Sequence, residues 1–203
     1  CLIAVLAGVL ATTWYVSRPA AIRAERILES YREDGGYPSL SVLYPLDGTL
    51  FPPEIIAPTF RWEDPREASH AWVVAFEFPD RGRRMSYLSE RPKWTPAPDA
   101  WEEIKLRSLA QPARITILGV HRERRNEIVS AARISISTSP DEVGAPLFYR
   151  EVDLPFIQAV RDPAKHIRWR FGSIDSPQQP PVVLEKMPVC ANCHSFSRDG
   201  ATL

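Results

Sequence analysis

The chain has 203 residues, 44% hydrophobic and 25% charged, the composition of a globular protein with one or two modest cores. Its 25 basic and 25 acidic residues cancel, so nothing in the charge balance favours nucleic acid or an acidic surface as partner. Proline is in excess, at 20 residues against a usual share of ~5%; it donates no ladder hydrogen bond and marks edges and turns, so short extended elements are expected rather than long helices.

Residues Cys1 to Val16 carry no charge and are followed by Arg18, a run slightly short of the ~20 residues that cross a bilayer. Residues 1–17 are therefore expected to form a transmembrane anchor, with Trp14 and Tyr15 at the membrane–water interface. A cleaved signal core and a lipidated Cys1 are the alternatives. Each of the three exports the remaining chain, and a single-pass membrane anchor with the bulk of the chain exported is expected. Residues 18–37 place Ile22, Arg23, Ile27, Leu28 and Tyr31 at helical spacing before Gly35-Gly36, an amphipathic helix leading away from the membrane.

From Pro38 the period changes. Leu40–Tyr44 reads as a strand, residues 45–49 as a turn and Thr59–Trp62 as a second strand. Ala71–Phe78 is a third, with Trp72, Val74, Phe76 and Phe78 on one face. Residues 83–89 pair with it through a turn at Asp80-Arg81-Gly82. Asp99 and Glu102 have the spacing of a capping box for a helix over Trp101–Leu109. Ala113–His121 and Ile128–Ser137 complete the series. The predicted fold is mainly β: an antiparallel immunoglobulin- or fibronectin-like sandwich over residues 38–139, with Trp62, Trp72, Trp94 and Trp101 in its core and rim. Residues 140–203 have apolar content but little period, and are expected to form an irregular connector packed against neighbouring structure.

Three cysteines, with Cys1 alone, do not make a disulfide framework. The chemistry concentrates in Cys190-Ala191-Asn192-Cys193-His194. Two cysteines so spaced suit thioether bonds to the two vinyl groups of one haem, and the next residue offers an imidazole to the iron. Chance would produce this pattern in a chain of this length about once in a thousand times. A zinc site lacks a fourth ligand at suitable spacing. A thioredoxin-like pair lacks its α/β setting, and a plain disulfide leaves His194 unexplained. One covalent haem c is therefore expected, with His194 as proximal ligand. Of Met187, His70, His121 and His166, the last is preferred as distal ligand, since its connector could wrap the ring; a ligand beyond Leu203, or none, stays open. Arg168 and Arg170 are candidate partners of the haem propionates, or else line an exposed strand around a buried Trp169.

Phe51-Pro52-Pro53-Glu54, Pro58–Trp62, Val143–Val152, Ile167–Arg170 and the haem motif with Ser195–Gly200 resemble a bacterial family of exported, predicted cytochrome c proteins. That family is related to TolB-like proteins with WD40-like propeller repeats. The resemblance spans roughly residues 38–203. It implies an N-terminal anchor and a sandwich ahead of the haem motif and a propeller after it. Ser197–Leu203 is similar to the opening of a propeller blade, so the chain is expected to be a fragment, or a variant that has lost that domain.

The expected function is electron transfer by a membrane-anchored periplasmic c-type cytochrome subunit, within or to a respiratory or photosynthetic complex. Its partners are then the membrane, through the N-terminal helix, and other subunits of that complex; nucleic acid is not among them. The alternative is a scaffolding subunit whose sandwich docks to the complex while the haem is redundant or absent. A haem enzyme would need an acid–base group beside an open iron position, and no such constellation, phosphate loop or dinucleotide fingerprint is visible.

Overall fold

A computed structural model describes residues 24–80, 82–121, 123–124, 127–187 and 195–199. The chain is mainly β, with three sheets and short helices. Strands β1 (Ser41–Tyr44), β3 (Phe60–Glu63) and β6 (Lys93–Trp94) form a three-stranded sheet in the order β1-β3-β6. Strands β2 (Thr49–Phe51), β4 (Ala71–Glu77), β5 (Met85–Ser89), β7 (Ala113–His121) and β8 (Glu127–Thr138) form a five-stranded sheet in the order β2-β8-β7-β4-β5. The two share one core. In β3, Phe60 and Trp62 are buried while Arg61 and Glu63 face solvent, the period of two expected of a half-buried strand. They meet Trp72, Val74 and Phe76 of β4 and Ile115 and Ile117 of β7, with Phe51 and Trp101 closing one side.

Strand β4 shows why the sandwich carries a helix on its back. Its inward residues are large, and its outward residues are Ala71, Val73 and Ala75, all buried. Small side chains there leave room for helix α1 (Ala24–Ser30), whose Ile27 and Leu28 pack on them together with Leu118 and Val120 of β7. Glu25 fixes the approach by accepting a 2.7 Å hydrogen bond from Ser86 Oγ and pairing with Arg84 at 3.2 Å. Helix α2 (Pro98–Arg107) covers the sandwich edge. Its Trp101 Nε1 donates to Ile55 O at 2.9 Å and its Lys105 Nζ donates to Pro53 O, which pins the proline-rich stretch after β2.

The structure corrects the expected fold class on three counts. The sandwich is not wholly antiparallel, because β2 pairs with β8 in parallel, Thr49 opposite Ile136 and Phe51 opposite Thr138. The C-terminal segment is not irregular. It contains a third, antiparallel sheet of β9 (Leu147–Val152), β10 (Ile167–Gly172) and β11 (Val182–Glu185), with α3 (Phe156–Arg161) and α4 (Pro163–His166) between β9 and β10. Thirdly, no helix among the described residues is long and apolar enough to cross a membrane. Residues 1–17, where the anchor was expected, lie outside the described residues. Of the amphipathic stripe read as leading away from a membrane, Ile27, Leu28 and Tyr31 pack against the five-stranded sheet, and Ile22 and Arg23 lie outside the described residues.

The expected capping box is also corrected. Helix α2 begins after Ala97 with no side-chain cap, Pro98 occupies its first turn, and Asp99 lies inside it. A proline there needs no hydrogen-bond partner and its fixed φ suits the helix, so the start moves ahead of the Asp.

Candidate functional site

The residues singled out for chemistry fall on or beside the third sheet. Its centre is β10, which pairs with β9 in the register Arg168–Glu151, Trp169–Arg150 and Phe171–Phe148. On the other side it pairs with β11, Arg168 opposite Glu185 and Trp169 opposite Leu184. Side chains alternate across a strand, so Arg168 and Arg170 share one face and Ile167, Trp169 and Phe171 the other.

The polar face is a compact ion-pair network. Arg168 donates to Glu151 Oε1 from Nε at 2.9 Å and from Nη2 at 2.7 Å, and Nη2 also reaches Asp153 Oδ1 at 2.8 Å. Arg170 Nε donates to Glu151 Oε2, and its Nη1 donates to Pro180 O at 2.6 Å. Hydrogen bonds from Arg168 and then Arg170 hold the Glu151 carboxyl down to about 2, against an ordinary 4.5. Both guanidiniums expected to meet haem propionates are therefore engaged by carboxylates of the sheet itself.

His166 stands at the foot of this network. Its Nδ1 lies 3.3 Å from Asp153 Oδ2, and its carbonyl accepts the Asp153 N–H at 3.0 Å. A carboxylate can only accept, so Nδ1 carries the proton and the lone pair of the neutral ring is on Nε2. This is the arrangement in which metal-bound histidines are commonly held, with the far ring nitrogen tied to a carboxylate. The other two histidines near the end of the sandwich serve local turns. His70 Nδ1 lies 2.7 Å from Ala68 O, and His121 Nδ1 accepts the N–H groups of Glu123 and Arg124. Among the described residues no three ligating side chains converge as a metal cluster. Of the described residues, His166 offers an imidazole in a setting that a haem iron could use.

The opposite face is aromatic. Phe148 stacks on Trp169 with ring centroids 5.0 Å apart and planes 6° from parallel. Phe196 meets Phe148 edge-on at 5.3 Å. Cys190, Cys193 and His194 lie outside the described residues, but their described flanks are informative. Strand β11 runs towards the His166 end of the sheet, since Glu185 pairs with Arg168, and Met187 follows there. Phe196 then rests against Phe148, which pairs with Phe171 at the opposite end.

Sequence reading missed Glu151 and Asp153 as partners of Arg168, Arg170 and His166. A signal was present: acids two residues apart and arginines two residues apart are what one face of a paired strand presents. No family model, no curated protein and no solved structure matches this chain.

Proposed function

We propose that the protein is an exported c-type cytochrome subunit that passes electrons to or from a larger redox complex in a bacterial envelope. The observation that carries this reading is Cys190-Ala191-Asn192-Cys193-His194, two thiols and an imidazole in the spacing of covalent haem attachment. The single carboxylate-tethered imidazole of His166 and the aromatic face bearing Phe196 support it. When bound, the haem supplies one-electron chemistry between ferric and ferrous iron. Cys190 and Cys193 would hold it through thioether bonds, and His194 would ligate the iron. Trp169 and Phe148 form a stacked aromatic surface against which the chain rests two residues after His194.

The test is a pyridine haemochrome assay with an intact mass, on full-length protein made alongside a c-type maturation system. One haem per chain is expected, surviving denaturation. Its loss is expected in Cys190→Ser with Cys193→Ser. Protein that folds and carries no covalent haem would overturn the reading and leave the scaffolding role.

A further inference from the structure

One face of the third sheet is aromatic, and the downstream chain already touches it. Trp169, on the central strand β10, is 3% exposed although neither hydrophobic cluster of the sandwich includes it. Phe148 stacks on it, and Phe196 stands edge-on to Phe148 at 5.3 Å. Phe171 and Phe196 are themselves 41% and 45% exposed, so the face stays apolar out to its rim.

The stretch between β11 and Phe196 has its two ends at diagonal corners of this sheet. Strand β11 is one edge and β9 the other, with β10 between them. Glu185, the last residue of β11, pairs with Arg168, whereas Phe196 meets Phe148, which pairs with Phe171. Lys186 ends the strand at φ 58°, a left-handed conformation that turns the chain out of the ladder. The corners are about 10 Å apart across two strand spacings and about 10 Å apart along the strands. Residues 188–194 lie outside the described residues, and the eight steps from Met187 to Ser195 reach at most about 29 Å. The direct path thus crosses the aromatic face over Trp169 with slack to spare. Connectivity alone keeps the His194 Cα within about 7 Å of that of Phe196.

We propose that the aromatic face of the third sheet is the seat of residues 188–194, which carry Cys190, Cys193 and His194. Trp169 and Phe148 form its floor, and Phe171 and Phe196 its rim. The seat needs no haem. One consequence rests on the covalent-haem reading above: a haem held on this segment would be shielded from water by Phe171 and Phe196.

Two measurements on the full-length chain separate the seat from the haem. The first uses protein made without a maturation system, with Cys1→Ser and Cys190→Ser so that Cys193 alone carries a nitroxide. Circular dichroism confirms the fold. Paramagnetic broadening is expected to be stronger at the Trp169 Nε1–H and the Phe148 amide than at the Arg168 Nε–H on the other face. Equal broadening on the two faces, or none in the third sheet, would overturn the seat. The second measurement uses holoprotein. Phe171→Ser and Phe196→Ser are each expected to lower the midpoint potential, since a haem more open to water favours the more charged ferric state. Tyr149→Ser, at a partly exposed position opposite Arg170, is expected to leave it unchanged. Wild-type potentials in both phenylalanine variants would overturn the rim role. Protein that shows the broadening contrast but takes up no covalent haem under maturation would sink the haem reading and leave the seat standing.

Discussion

Gly119 occupies a crowded position, opposite Trp72 on β4 and Ser130 on β8. Asp64 Oδ2 beside it accepts hydrogen bonds from Ser130 Oγ at 2.5 Å, Ser69 Oγ at 2.6 Å and Trp72 Nε1 at 3.0 Å. Burial alone would raise the Asp64 carboxyl, but these donors outweigh it and hold the group below the ordinary carboxylate range. A Cβ at Gly119 would fall 2.7 Å from Ser69 Oγ and closer still to Ser130 Oγ and Asp64 Oδ2. Gly119→Ala is expected to cost about 1–3 kcal/mol through overpacking, read as a lower urea midpoint with an unchanged slope; an unaltered midpoint would show that the cluster yields freely. Glu151 makes a second prediction at this scale. Its carboxyl lies at about 2 in the folded chain against an ordinary 4.5, so the folded state prefers it ionised. Its contribution to stability is complete above the ordinary value and is lost as pH falls from there through about 2. Glu151→Gln should be less stable than wild type at neutral pH, and the gap in melting temperature should narrow as the buffer is acidified. A gap that stays constant down to pH 2 would count against the Arg168–Glu151–Arg170 network as its source.

At the scale of elements, the legible parts were those whose pattern had one clear face. Strand β3 alternates cleanly, and β7 and β8 are long β-branched runs that could only be strands. Strand β4 was recognised from its large residues, but the burial of its small ones depends on α1, a partner distant in sequence. The third sheet was unread for the opposite reason. Its strands put arginine, glutamate and aromatics side by side, so no apolar period emerges, and their charges are satisfied only by cross-strand partners. Helix α1 gives the prediction. Ile27 is fully buried between the helix and the sheet, so Ile27→Ala is expected to cost about 2–5 kcal/mol or to release the helix. Hydrogen exchange would report release as lost protection confined to residues 24–30 and the outer positions of β4 and β7. Protection as in wild type would mean that Ile27 does not hold the helix on the sheet.

For the whole molecule, the third sheet shares no strand pairing with the other two among the described residues. It is joined to the sandwich through the proline-rich stretch after β2. There the Ile56 N–H donates to Ile174 O at 3.3 Å, and the Gly144 N–H donates to Glu54 Oε1 at 3.2 Å. A join made by loop residues rather than by strand pairing predicts separable stability. Denaturant titration followed by hydrogen exchange is expected to show β9–β11 opening before the sandwich. A single coincident transition would show that the proline-rich stretch couples the two as one cooperative unit.

What the amino-acid sequence determined by itself was local. The proposed haem reading rests on the spacing of five consecutive residues, Cys190 to His194, and most sandwich strands announce themselves by alternation within a few residues. What only the tertiary structure decided was pairing between distant segments: the parallel contact of β2 with β8, the seat of α1 on β4, and the third sheet that ties His166 to Asp153. The physical reason is common to all three. An apolar period shows which side of a segment is to be covered, and a run of charges shows that partners are needed, but neither carries the partner's identity. That is set when the chain closes on itself and each buried face and each carboxylate is matched.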